Sequence, residues 1–430
     1  MKFSFYAVRT VALLAVGCSI VTAAQESTPT GAPRQSARIE DLLSEAERSN
    51  PQIIAARHGW DSSKQVSSQV STLPDPQFIL QHVSVGSPRP FAGYTNSDFA
   101  YVGVGVSQDL LYPGKLRLRG AIAKKDAEIM QEKSESVRRA VFAALKTAYY
   151  QAGYLARREA ILAENGVLLK ELEQSAEARY RAGMGNQQEV LEAQLEQTKL
   201  QREITLNQLE AAKEQAELKQ LLNRAQTSPD IEVSDLSETA ASHSYEELLA
   251  ATNGNNPELA AAQKTTERQK LQVDLAKKDF YPDFNVQYLW QRTDPEQFRA
   301  YYMVTLGIRL PIYRSRRQQP ELAKAEADHN RAKSEDEAQA QRVAFELRQQ
   351  FLRWEKSAQL LKLYREGLIP QAQAELRAGM AAYQSNRQDF QALLASFLDV
   401  LKLDEEYWQT LSEHEMALAQ MEQITGLALR

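Results

Sequence analysis

The sequence predicts a mainly α chain with a small membrane β part, laid out as a tandem duplication in which each copy joins two short strands to a long antiparallel helical hairpin. Three observations carry this: a repeat covering most of the chain, four segments with alternating apolar residues, and helical stretches longer than a globular core needs. At 430 residues the chain also exceeds a usual domain of roughly 100 to 200 residues.

The repeat sets the boundaries. Asn50-Pro51 through Pro74-Asp75-Pro76 returns as Asn256-Pro257 through Pro282-Asp283. The register is tightest near the end of each copy. From Tyr180 and Tyr383 an offset of 203 runs without a gap to Asn223 and Gly426, pairing Leu191 with Leu394, Leu195 with Leu398 and Glu203 with Glu406. The copies are set at 39–224 and 246–430, joined by a linker over 225–245.

Ahead of the first copy, Lys2 and Arg9 precede an apolar run from Val11 to Val21 and the small residues Thr22, Ala23 and Ala24. This is the pattern of a secretory signal peptide over 1–24, followed by a flexible segment over 25–38. The alternative is lipidation at Cys18, since Ala15-Val16-Gly17-Cys18 loosely matches a lipoprotein box with alanine where leucine is usual. Cleavage after Ala24 removes the single cysteine, and with it disulfides, thiolate catalysis and sulfur-bound metal. It also takes the formal charge from -5 to -7, a mild acidity that does not suit nucleic acid. No later apolar stretch reaches about 18 residues, so a transmembrane helix is not expected.

Strands are predicted at about 77–85, 98–107, 283–292 and 299–309. In the second copy Phe284, Val286, Tyr288 and Trp290 alternate with polar residues, as do Tyr302, Val304, Leu306 and Ile308. In the first, Gln77 to Val85 alternates poorly, whereas Val102, Val104 and Val106 share a face opposite Gly103 and Gly105. The segments Gly86 to Ser97 and Thr293 to Phe298 have turn composition. Two hairpins on a soluble core would alternate similarly. A membrane is favoured by the strand lengths and by Tyr288, Trp290, Tyr301 and Tyr302, which suit an interfacial aromatic girdle. Four strands cannot close a barrel, and open edges are not tolerated in lipid, so other chains must complete the sheet.

Helical patterns follow from Lys115 to about Arg181 and from about Arg316 to Tyr383, each long enough to span about 100 Å. A kink or break is expected at Asn165-Gly166 and again at Gly367 to Pro370. Return arms run from about Gln187 to Asn223 and from about Gln388 to Gly426. The first carries two apolar stripes, one through Val190, Ala193, Leu200, Ile204 and Leu218, the other through Leu191, Leu195, Thr198 and Leu209. Stripes on two faces suit a helix in the wall of a tube, although an antiparallel bundle is the plainer reading.

At the turns, an aromatic residue, a glycine three positions on and an apolar pair beyond it recur as Tyr180, Gly183, Val190 and Leu191. In the second copy they read Tyr383, Asn386, Leu393 and Leu394. Together with Leu73-Pro74-Asp75-Pro76, Gln108, Pro113-Gly114-Lys115-Leu116 and Leu310-Pro311-Ile312, they resemble the TolC-like outer membrane efflux protein family, the outer membrane factors, over about Ile39 to Arg430. The Pro113 to Leu116 segment and Gln187-Gln188 faintly resemble its heavy-metal efflux branch.

The resemblance implies a homotrimer in the lipid of the bacterial outer membrane. Its 12-stranded β-barrel, four strands per chain, would be continuous with an α-barrel extending far into the periplasm. It further implies a periplasmic adaptor (membrane fusion) protein, an inner-membrane pump of RND or ABC type, and no cofactor. Ala182, Gly183, Met184, Gly185 and Asn186, with Ser385, Asn386, Arg387, Gln388 and Asp389, become candidate adaptor contacts. Family members often carry acidic residues just after the second tip that narrow the aperture. Here Ala392 and Ala395 are neutral, so Glu189, Glu192 and Asp389 stand as aperture candidates.

Enzyme chemistry finds no motif. His58, His82, His243, His329 and His414 are scattered, His414-Glu415 lacks a second histidine at Leu418, and neither a nucleophile elbow nor a phosphate loop occurs. The expected function is a passive conduit exporting small molecules, drugs or metal ions. Alternatives are the conduit of a type I protein secretion system or a periplasmic coiled-coil adaptor or scaffold.

Overall fold

The computed structural model describes residues 37–83, 101–239, 243–292, 300–385 and 387–429. The expected signal peptide, most of the expected flexible segment after it, Asn386 and the two segments expected to connect the strands lie outside the described residues. The elements are α1 (Ile39–Ser49), α2 (Pro51–Ser71), β1 (Gln77–Val83), β2 (Tyr101–Leu110), α3 (Lys115–Arg181) and α4 (Gln187–Leu221) in the first repeat. The second contains α5 (Tyr245–Asn255), α6 (Pro257–Lys278), β3 (Asp283–Arg292), β4 (Tyr301–Arg309), α7 (Gln318–Leu363), α8 (Ile369–Gln384) and α9 (Phe390–Thr425). A π-helical turn, Tyr364–Leu368, joins α7 to α8.

The two Asn-Pro pairs that mark the repeat are helix splices. Asn50 Oδ1 accepts from the backbone of Gln52 and Ile53 at 2.9 and 3.3 Å, capping α2, while its Nδ2 donates 2.8 Å to the Leu221 carbonyl at the end of α4. Asn256 caps α6 in the same way and donates 3.0 Å to the Ile424 carbonyl of α9. One buried side chain thereby satisfies orphan groups at two helix ends, and proline follows where its missing N–H costs nothing. As a result α2 continues the column of α4, and α6 continues that of α9.

The columns pack side by side. α3 touches α2 and α4 on one flank and α6 and α9 on the other, α7 packs against α6 and α9, and α8 packs on α9. Apolar clusters fill the inner contacts, among them Leu145, Tyr149, Leu218 and Leu361 midway, and Leu169, Ala193, Tyr383 and Phe390 near the turns. The linker is strapped to this wall. Leu236 seats on Gly153, and the Thr239 N–H and hydroxyl donate 2.7 and 2.9 Å to the buried Glu415, whose carboxyl burial pushes above the usual range. No described helix is long and apolar enough to cross a membrane.

The strands form one antiparallel sheet in the order β1-β2-β3-β4, so among the described residues β1 and β4 are open edges. Two expectations are corrected. β2 runs on to Leu110 rather than stopping at 107, because its last residues pair with the start of β3, Leu110 opposite Phe284. The break expected at Asn165-Gly166 is absent, and α3 is continuous over 67 residues. Asn165 is buried and returns its Nδ2 to the Ile161 carbonyl at 2.8 Å, which satisfies the amide without opening the helix. In the second repeat the disturbance is real. The π turn absorbs the donor missing at Pro370, which sits in the first turn of α8.

Candidate functional site

Side chains alternate along a strand, so the pairing register assigns each residue to a face. Phe78, Val106, Tyr288 and Val304 form one row across the sheet, and Leu80, Val104, Trp290 and Tyr302 the next. Nearer the helices, Leu110, Phe284 and Ile308 extend the same apolar face. It is largely exposed in the single chain, as a surface meeting lipid would be. The opposite face is mostly polar or small, broken by one row of larger apolar residues, Ile79, Leu289 and Met303. Gln291 donates 3.2 Å to Gln81, and Asn285 Nδ2 donates to Ser107 at 3.0 Å and Asp109 at 2.9 Å. At Gly105 a Cβ would fall 2.2 Å from the Tyr288 carbonyl, so glycine lets β2 and β3 approach there beneath Leu289.

This register divides the proposed girdle. Tyr288, Trp290 and Tyr302 share the apolar face, with Tyr288 and Tyr302 stacked at 6.2 Å. Tyr301 falls opposite Gln291, in the row of Gln81 and Gly103, and therefore belongs to the polar face. Neighbours in a strand cannot both face lipid, and parity rather than aromatic identity decides.

Where sheet meets helices, the two repeats are clamped together. Lys115, its side chain 4% exposed, places Nζ 3.0 Å from Asp279 and 3.0 Å from Asp283, and the Tyr112 N–H donates 2.8 Å to Asp283. Tyr112 stacks on Tyr281 at 4.5 Å, with the Lys278 ammonium over both rings.

At the far end, Gly183 has φ 72°, and the Gly183 and Met184 N–H groups donate to the Tyr180 and Arg179 carbonyls at 3.0 and 2.9 Å. This glycine-terminated helix end is followed by Asn186, which caps α4 by accepting 3.0 Å from the Glu189 N–H. The second turn repeats the pattern, with the Arg387 N–H donating 2.8 Å to the Ala382 carbonyl. Ala182, Gly183, Met184, Ser385 and Arg387 are exposed at these tips, and Gly185 and Gln388 are half-buried.

The acidic candidates have partners inside the chain. Asp389 caps α9, accepting 2.8 Å from the Ala392 N–H. Glu192 accepts 2.9 Å from Gln391, and Glu189 accepts 3.0 Å from the Tyr383 hydroxyl. Tyr383 is 2% exposed, with Arg179 over its ring at 4.5 Å and donating 3.0 Å to its carbonyl. Burial, with the Glu189 carboxylate beside it, pushes the Tyr383 phenol up to about 12. Sequence reasoning missed this tie between repeats, although a tyrosine at both turns, flanked in the first by Arg179 and Arg181, was a usable signal.

The duplicated strand pairs and hairpins coincide with a known family. A sequence model described as "Outer membrane efflux protein" matches residues 42–224 and 248–424. The chain belongs to that family. The efflux protein shares its fold with the outer-membrane channel OprN, at 17% identity over 91% of this chain and 93% of that one, TM-score 0.79. It is also similar to VceC of Vibrio cholerae, at 16% over 92% and 98%, TM-score 0.78. The MtrE channel of Neisseria gonorrhoeae, solved in an open state, matches at 15% over 91% and 90%, TM-score 0.75. No curated protein matches. Membership makes the chain an outer membrane efflux channel protein rather than an enzyme, with its helical part as the periplasmic extension.

Proposed function

We propose that this efflux protein is a passive conduit in which three copies close one 12-stranded barrel and one helical tube. A periplasmic adaptor meets the hairpin tips and an inner-membrane pump of RND or ABC type supplies the energy. One observation carries the reading: the wall of a single chain is unfinished on both flanks at once. Strands β1 and β4 are unpaired edges. In line with them, Leu191, Leu195 and Leu209 on α4 and Phe345, Leu360 and Leu363 on α7 are exposed apolar residues on the two outer columns. Such edges and patches are costly unless covered. The stripe of α4 through Ala193, Leu200 and Leu218 is buried within the chain, which leaves the stripe through Leu191 and Leu195 for a neighbour.

The polar face of the sheet then lines a water-filled path for small molecules such as drugs or metal ions. The exposed tips, with a glycine at Gly183 whose added Cβ would meet nothing within 4 Å, present a surface for the adaptor. Purified protein added to planar bilayers is expected to give discrete single-channel conductance without any energy source. A preparation that inserts and never conducts overturns the proposal.

A further inference from the structure

The two repeats leave the sheet differently. After β2, the first repeat turns through Tyr112, Pro113 and Gly114 into α3, and its tyrosine and lysine are held inside the chain. Tyr112 stacks on Tyr281 at 4.5 Å, and the buried Lys115 lies 3.0 Å from both Asp279 and Asp283. After β4, the second repeat turns through Leu310 to Arg317 into α7. Here Leu310, Ile312, Tyr313, Arg314, Arg316 and Arg317 are all exposed.

The ladders show that these arginines are not the lysine over again. Pro74-Asp75 and Pro282-Asp283 begin the two strand pairs, which aligns Phe78 with Val286. Phe78 faces Val106 in one hairpin and Val286 faces Leu306 in the other, so Leu306 stands where Val106 does, Ile312 where Tyr112 does and Ser315 where Lys115 does. The place of the clamping lysine is thus taken by a serine. The arginines flank it, and none of them pairs with a carboxylate among the described residues. The turn itself is closed by its backbone, the Arg316 and Arg317 N–H groups donating to the Tyr313 carbonyl at 3.1 and 2.9 Å, so the three guanidiniums are not needed to shape it.

Position and composition name an occupant. The segment begins two residues beyond Ile308, in the last row of the apolar face, where the sheet gives way to the periplasmic helices. It carries three cations and no acid within a chain of formal charge -5, and the first carboxylate after it is Glu321 in α7. A tyrosine and aliphatic side chains next to guanidiniums suit the boundary between acyl chains and headgroups, where long cationic side chains reach out to phosphate. The planar fork of arginine grips phosphate oxygens in pairs.

We infer that the turn from Ile312 to Arg317 is a docking site for anionic phospholipid headgroups of the periplasmic leaflet. Ile312 and Tyr313 enter the acyl boundary, and Arg314, Arg316 and Arg317 hold the phosphates. The site occurs once per chain, because the first repeat buries its lysine at the equivalent place. It rests on the membrane-inserted conduit proposed above and adds to it the class of lipid that the periplasmic rim selects.

The test mixes the full-length protein in mild detergent with equal amounts of phosphatidylglycerol and phosphatidylcholine of the same acyl chains, and counts the retained lipids by native mass spectrometry. Phosphatidylglycerol is expected to be retained roughly tenfold over phosphatidylcholine, as three cations at an anionic headgroup layer allow. Arg314→Gln, Arg316→Gln and Arg317→Gln together should abolish the preference with the copy number unchanged. Arg314→Lys, Arg316→Lys and Arg317→Lys should keep most of it, and the control Arg353→Gln with Arg377→Gln, exposed on α7 and α8, should keep all of it. A parent protein that retains both lipids equally, or a glutamine variant that keeps the preference, overturns the site and leaves the conduit standing. A glutamine variant that falls apart into single chains places the arginines between copies and overturns the site as well. A parent that retains neither lipid overturns the lipid-facing sheet itself.

Discussion

Tyr180 and Tyr383 occupy equivalent positions in the two repeats, yet the first is 47% exposed and the second 2%. Tyr180 ends its helix facing solvent, while Tyr383 lies beneath Arg179, 5.8 Å from Phe390, with its hydroxyl on Glu189. The first turn supplies the arginine and the carboxylate that hold the aromatic residue of the second. Duplication therefore supplies two turns whose equivalent tyrosines are held differently: one is exposed, and the other is tied to its neighbour.

That contrast can be broken at several strengths. The largest expected effect is from Tyr383→Ala, which removes a buried aromatic side chain and should lower the local stability of the hairpins by about 3 to 5 kcal/mol. Tyr180→Ala should stay within about 0.5 kcal/mol. Hydrogen exchange of the α8 and α9 amides reads both, and equal effects would erase the distinction.

Alkaline pH should loosen the same tie. The phenol of Tyr383 is raised from an ordinary value of 10.0 to about 12 in the folded protein. Its stabilising contribution is thus fully present below pH 10 and lost as pH rises through about 12. Protease cleavage at the second turn should increase over that window and do so less in Tyr383→Phe. At neutral pH the phenylalanine variant should lose only about 1 kcal/mol, the worth of one hydrogen bond.

A smaller effect belongs to the first turn. Gly183 at φ 72° favours glycine, so Gly183→Ala should cost about 1 to 2 kcal/mol and Gly183→Asn less, since asparagine tolerates that conformation. Thermal unfolding followed by circular dichroism ranks the two. A bulky residue such as Gly183→Trp points into open space and should spare assembly while reducing export, measured as accumulation of a fluorescent efflux substrate in cells.

Much of the fold is legible locally. Three of the four strands announce themselves through alternation, and the first turn through Gly183, which takes the left-handed conformation. Local reading fails where the partner is distant in sequence. Lys115 and Asp283 are 168 residues apart and Tyr383 and Glu189 are 194 apart, so neither tie has a local signature. Asn165-Gly166 resembles a break because that pair is common in turns, but burial and a bond to Ile161 keep it helical. Tyr301 resembles a girdle residue by composition, and only the ladder shows which side it takes.

The central claim is that one chain builds an unfinished wall that further copies complete. Native mass spectrometry of the protein extracted from outer membranes into mild detergent measures the number of copies directly. A particle of three chains is the expected result, and a stable single chain would contradict the account.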